Sequence, residues 1–169
     1  MTAFEGDSTA WENLFRTHIQ TVVQHYRGRI RSWDVVNEAF MDDGTLRKTL
    51  WLDHLGPDYM ARAFRYAREA DPDVLLFYND YGQEYSPKKR SAILNMVADF
   101  KRRNIPIDGL GLQMHISIRS TQPGIQAAIR EFANTGLLVH LSELDVAVNP
   151  AKTPTLTLTP DLLEQQKAM

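Results

Sequence analysis

Apolar positions along the chain fall into two rhythms: short continuous runs of strand length, and longer stretches with one apolar stripe at helical spacing. From Asp7 or Ser8 to about Tyr26, residues Trp11, Leu14, Phe15, Ile19, Val22 and Val23 recur at helical intervals, and Gly28 stops the pattern. Ile30 to Val36 reads as a strand, because β-branched and aromatic residues dominate it. After the polar turn Asp42-Asp43-Gly44, Pro57 is expected in the first turn of a helix that carries Met60, Phe64 and Ala67 and ends before Asp71-Pro72. Val74 to Tyr78 forms a second apolar run. Ser86-Pro87 opens another helix, with Ile93, Leu94, Val97 and Phe100 on one face, and Pro106 closes that region. Gly109 to His115 is a weaker strand, since its glycines cost β-propensity. Pro123-Gly124 precedes a helix through Ile125, Ala128, Ile129 and Phe132, with Gly136 as its stop. Leu137 to Leu141 is the fourth strand, and a loop with three prolines between Asn149 and Pro160 leads into a helix starting near Asp161.

Strands alternating with helices imply right-handed crossovers and a parallel sheet, hence an α/β fold. The 169 residues suggest one domain over 1–169, short of the roughly 250 that an eight-fold β/α barrel needs. With 43% hydrophobic and 24% charged residues, the composition is that of an ordinary globular chain. A net charge of −2 gives no basic excess for nucleic acid, and no apolar run approaches a membrane span, so neither partner is expected. The first residues have neither a basic nor an apolar leader region, so no secretory signal is expected and the compartment stays open. Cysteine is absent, which removes disulfides, thiolate catalysis and zinc–thiolate sites. No other ligand spacing points to a metal. The clusters Lys88-Lys89-Arg90 and Lys101-Arg102-Arg103 read as solvated faces, and Trp33 and Trp51 as packing residues.

In parallel sheets the chemistry collects at the carboxyl ends of the strands. Here the first strand ends in Asn37-Glu38, the second in Asn79-Asp80-Tyr81, the third in Gln113 and His115, and the fourth in Glu143 with Asp145 two residues on. Asn and Asp at such positions are common turn residues, but Glu has no special turn chemistry. If the strands are neighbours, Glu38 and Glu143 project over one rim, the arrangement of two carboxyls that glycoside hydrolysis requires. Two surface glutamates pairing with arginines would fit the spacing equally well.

The words around these residues are more specific. Trp33-Asp34-Val35-Val36-Asn37-Glu38-Ala39 resembles the acid/base strand of the glycoside hydrolase family 10 xylanases, and Ser142-Glu143-Leu144-Asp145-Val146 resembles the nucleophile strand of that family. Phe77-Tyr78-Asn79-Asp80-Tyr81 and Gly109-Leu110-Gly111-Leu112-Gln113-Met114-His115 are similar to its fifth and sixth strand motifs. The four words occur in the family's order and cover most of the chain.

The resemblance implies a partial (β/α)8 TIM barrel of about four parallel strands, barrel strands four to seven with flanking helices, running from after strand three to the helix after strand seven. It implies a retaining endo-β-1,4-xylanase acting on xylan or xylo-oligosaccharides without a cofactor. Glu143 would attack the anomeric carbon. Glu38 would protonate the leaving oxygen and then deprotonate water, the repulsion between the two carboxylates disappearing once Glu143 is esterified. Asn37 is implied as a ligand of the sugar 2-hydroxyl, although it could instead fix its own turn. His115 and Asp145 are expected to form a hydrogen-bonded chain to Glu143, a geometry that an ordinary barrel-interior histidine would share. Gln113, Asn79 and Tyr81 are expected around the substrate, Tyr81 being nearly as plausible as a buried structural residue. The family's glycone-binding Asn and Lys from its first strand, its third-strand His and Trp, and its eighth-strand Trp have no counterpart here. A half-barrel that folds but does not turn over, and a related retaining β-1,4-glucanase, are therefore the competing readings. Open strand edges also lead us to expect a homodimer. The family usually works outside the cell.

Overall fold

The computed structural model describes residues 5–169. Six helices and six strands follow one another along the described residues. Helix α1 spans Ser8–His25, and the Asp7 carboxylate caps it by accepting from the Ala10 amide at 2.9 Å, which satisfies a donor left over at the helix start. Strand β1 is Ser32–Asn37. A short helix that the periodicity does not signal, α2 (Leu50–Leu55), follows with Thr49 as its cap. Helix α3 is Tyr59–Ala70 with Asp58 at its N-cap, so Pro57 precedes the helix rather than entering its first turn. Strand β2 is Leu75–Asp80, and α4 is Pro87–Arg102, with the Ser86 hydroxyl accepting from the Lys89 amide at 3.2 Å.

Strand β3 covers only Gly109–Leu112, because the chain leaves the sheet at Gln113 and re-enters pairing as β4 (His115–Ser117). Helix α5 is Gln122–Ala133, β5 is Leu138–Leu141, β6 is Asp145–Ala147 and α6 is Pro160–Lys167. The main sheet is parallel with order β1-β2-β3-β5, and β4 pairs with β6 in a second, two-stranded parallel ribbon above the strand ends. This is the arc of a β/α barrel. Helices α3, α4 and α5 bury Phe64, Ala67, Ile93, Val97, Phe100 and Phe132 against Leu76, Leu110 and Leu112 on one side of the sheet.

Two features set the other, inner side. In β1, Asp34 pairs with Phe77 and Asn37 pairs with Asn79, with a register shift between Asp34 and Val36. The extra residue re-phases the strand. Strict alternation would have turned Asn37 away from Asp34's face; the bulge returns it to the face that Phe77 and Asn79 share. In β3, a Cβ on Gly109 would lie 2.0 Å from the Phe77 ring, and one on Gly111 would lie 2.2 Å from Asn79 Oδ1. The glycines therefore open a path across the sheet. Phe77 crosses over Gly109 to stack on His140 of β5, ring centroids 3.9 Å apart, and Asn79 crosses over Gly111 to reach the end of β5.

Candidate active site

Glu38 follows β1 with φ 56°, in the left-handed region that a non-glycine residue rarely occupies. Its backbone is pinned on each side: its N–H donates to Asn79 O at 2.9 Å, and its carbonyl accepts from Arg47 Nε at 2.8 Å. Its carboxyl accepts from Gln113 Nε2 at Oε1 (3.0 Å), while Oε2 stands 4.0 Å from the Arg47 guanidinium. Glu143 lies just beyond β5. Its Oε1 accepts from Asn79 Nδ2 at 3.0 Å, and its Oε2 lies 3.4 Å from His115 Nε2. The opposite ring nitrogen of His115, Nδ1, lies 2.8 Å from Asp145 Oδ2. The register that pairs His115 with Asp145 across β4 and β6 sets this contact.

The two glutamates belong to one hydrogen-bonded chain. From Glu38 it runs to Gln113 Nε2, then 3.2 Å to Asn37 Oδ1, then 3.1 Å to Asn79 Nδ2, then to Glu143. Asn37 in β1, Asn79 in β2 and Gln113 just past β3 contribute the amides, so the ends of three neighbouring strands set the spacing. Both donors arrive at Asn37 Oδ1, which fixes the amide's orientation; Asn37 is exposed, and its Nδ2 has no acceptor among the described residues.

Asn79 and Gln113 occupy different surroundings from the sugar contacts expected of them. Asn79 is 1% exposed, and its Oδ1 accepts from the Ser142 hydroxyl at 2.7 Å; Gln113 is 3% exposed. Both amides are spent on the protein. Tyr81 is half-buried: its hydroxyl accepts from Arg47 Nη2 at 2.8 Å, and its ring borders a rim cleft shared with Asp42, Tyr85 and His115. The side chains of Glu143 and His115 are 45% and 43% exposed.

Asp145 raises the His115 pKa above its ordinary value, chiefly through its hydrogen bond; partial burial opposes the shift, and the charges of Asp145 and Glu143 add to it. A histidine held this way keeps one face toward Asp145 and presents Nε2 to Glu143.

Several residues around the site lie outside the strand-end words. Arg47 sits in a loop after the β1 end, and only the fold brings it to Glu38 and Tyr81. Met114, with φ 60°, is the second left-handed residue of the rim, turning the chain between Gln113 and His115. Lys89 is fully buried rather than solvated, with Nζ 2.8 Å from Asp80 Oδ1. Its position could have been read: residues 89, 93, 96, 97 and 100 form the buried stripe of α4.

Among known proteins, the family model described as Glycosyl hydrolase family 10 matches residues 1–169. An endo-1,4-beta-xylanase of Geobacillus stearothermophilus is 45% identical over 148 residues, covering 86% of this chain and 44% of that protein. Endo-1,4-beta-xylanase B of Thermotoga neapolitana is 42% identical over 146 residues, covering 86% of this chain and 42% of the relative. The crystal structure of xylanase 10B from Thermotoga petrophila RKU-1 in complex with xylobiose superposes with a TM-score of 0.87 at 37% identity, covering 98% of this chain and 49% of that one. The chain spans less than half the length of these curated relatives.

Proposed function

The chain belongs to glycosyl hydrolase family 10, and from that premise we propose that it carries the catalytic pair of a retaining endo-β-1,4-xylanase. The observation that carries the proposal is the amide chain linking Glu38 to Glu143 through Gln113, Asn37 and Asn79. Retention needs carboxyls about 5–5.5 Å apart, one acting as nucleophile and the other as acid and then base. A relay of amides from adjacent strands is a rigid way to hold such a pair.

In the first step Glu143 attacks the anomeric carbon of a xylose unit, forming a glycosyl ester, while Glu38 gives its proton to the departing oxygen. Gln113 donates to Oε1 of Glu38, so Oε2 is the oxygen that exchanges the proton. In the second step Glu38 takes a proton from water, and that water opens the ester. Asn79 and His115 hold the two oxygens of Glu143, and Asp145 fixes the imidazole. Asn37 offers Nδ2 to a sugar hydroxyl, a bond that strengthens as charge develops in the transition state. Tyr81, on the rim cleft, borders the leaving-group side. Asn79 and Gln113 act by holding the pair. The bound xylobiose of the relative supports xylan or xylo-oligosaccharide as the substrate class.

A second reading, a folded but inert half-barrel acting as one unit over residues 1–169, draws on the exposure of Glu143, His115 and Asp145. An open site admits water, and water weakens the electrostatic stabilisation a closed site supplies. Reducing-sugar release from xylan and from carboxymethyl-cellulose separates the readings. We expect release from xylan that falls on the order of 10³-fold or more in Glu143→Ala. Equal release by Glu143→Ala would refute the nucleophile. Faster release from carboxymethyl-cellulose would point to a β-1,4-glucanase, and none from a folded parent to the inert half-barrel.

A further inference from the structure

The amide that follows Glu38 is held from inside the protein. Ala39 N–H donates to the Tyr78 hydroxyl at 3.0 Å, and both residues are 1% exposed, so water offers that amide no alternative. Tyr78 O–H in turn donates to Asp80 Oδ2. A hydroxyl has one proton: given to Asp80, it leaves only lone pairs for Ala39. Asp80 is fixed as well, since its Oδ1 accepts from the Tyr81 amide at 2.8 Å and from Lys89 Nζ at 2.8 Å. Lys89 Nζ also donates to Tyr81 O at 2.8 Å, lies 3.4 Å from Asp42 Oδ1 and sits 3.7 Å above the Tyr81 ring. Burial, together with Asp80, pushes the Tyr78 pKa well above the usual phenol value, so the hydroxyl keeps its proton throughout the working pH range.

Glu38 stands at φ 56°, a conformation that persists only where its surroundings over-determine it. Main-chain pairing supplies one pin and Arg47, from a loop, supplies another; the third comes from the buried core.

We propose that Tyr78, oriented by Asp80 and Lys89, is a positioning residue for Glu38: its hydroxyl clamps the Ala39 amide and so holds the left-handed turn that aims the Glu38 carboxyl at the leaving oxygen. The proposal rests on the acid/base role given to Glu38 above. Tyr78 touches neither sugar nor reacting atoms.

The test is Tyr78→Phe, which keeps the ring that packs edge-on against Phe40, centroids 5.9 Å apart. A leaving group that departs without proton assistance is indifferent to where the acid points. Dinitrophenyl β-xylobioside is such a substrate and phenyl β-xylobioside is not. We expect kcat/KM to fall about tenfold or more on the phenyl substrate and by less than about threefold on the dinitrophenyl one. A second readout needs no turnover. The side-chain amide resonance of Gln113, whose Nε2 touches Glu38 Oε1, should follow Glu38 ionisation by NMR, with Glu38→Gln as the assignment control. In Tyr78→Phe its titration amplitude should drop to about half or less as the contact loosens. An unchanged amplitude overturns the proposal, and so does an equal loss on both substrates. If the parent chain cleaves neither substrate but Tyr78→Phe still loses the amplitude, the enzymatic reading fails while the positioning of Glu38 by Tyr78 stands.

Discussion

His115 ties the electrostatics of the rim to pH. Its raised pKa originates mainly in the hydrogen bond to Asp145, with Glu143 contributing through its charge. A histidine whose pKa is higher folded than unfolded adds stability below its unfolded value, near 6.5 in model peptides, and loses that contribution as pH rises through the folded value. Replacing it with Gln keeps a polar side chain and removes the titration. Urea midpoints of the parent and of His115→Gln should differ most below about pH 6.5, and the gap should close as pH climbs above it. A gap that widens with rising pH would mean that Asp145 does not hold the imidazolium. The side chain is 43% exposed, so solvent screens the pair and the effect belongs to the surface class of ion pairs.

Strand β3 is the element on which the site depends most. Its two inward glycines leave the space through which Phe77 and Asn79 cross to β5. Gly109→Ala would put a methyl group into the fully buried Phe77 ring and should cost about 1–3 kcal/mol, read as a lower thermal midpoint. Gly111→Ala meets the Asn79 amide instead, 2.2 Å away. That side chain can yield only by leaving Ser142 and Glu143, so activity on xylan should drop further than stability does. Loss of stability with activity per folded molecule unchanged would show that Asn79 does not hold the nucleophile. Sequence reading takes the same glycines as a weakness of the strand, because propensity counts what a residue lacks and not what crosses above it. The helix starts at Asp7 and Ser86 were legible, since a cap is a local matter of one side chain and one amide. The four strand exits were legible too, because each is a short word in a parallel fold. The β1 bulge was not: it shifts parity by one residue and shows only against the register of β2. Nor was the β4–β6 ribbon, whose three-residue strands pair across the whole of α5. Lys89 escaped because a basic run hides which of its members faces inward.

At the scale of the molecule, the described sheet ends at β1 on one side and β5 on the other, and each edge leaves backbone donors and acceptors unpaired. The β5 edge is also apolar, with Leu138 and Leu141 about half exposed and Leu144 similarly open just past the strand. Charges that commonly guard such edges are missing from β5, which reads Leu-Val-His-Leu. We therefore expect the 169-residue chain to self-associate through this edge, and sedimentation velocity over a range of concentrations checks it. The parent should shift toward a dimer or larger species as concentration rises, and Leu138→Lys combined with Leu141→Lys should return it to a monomer. A single monomer boundary for the parent at every concentration would rule the contact out. Association at β5 bears on the chemistry as well, because Glu143 stands just past that strand and its side chain is 45% exposed. If a second copy covers Glu143, activity per chain should rise with concentration in step with the dimer and stay flat in the lysine variant. A dimer that forms without changing activity per chain would put the contact at the outer side of β5, away from the carboxylates.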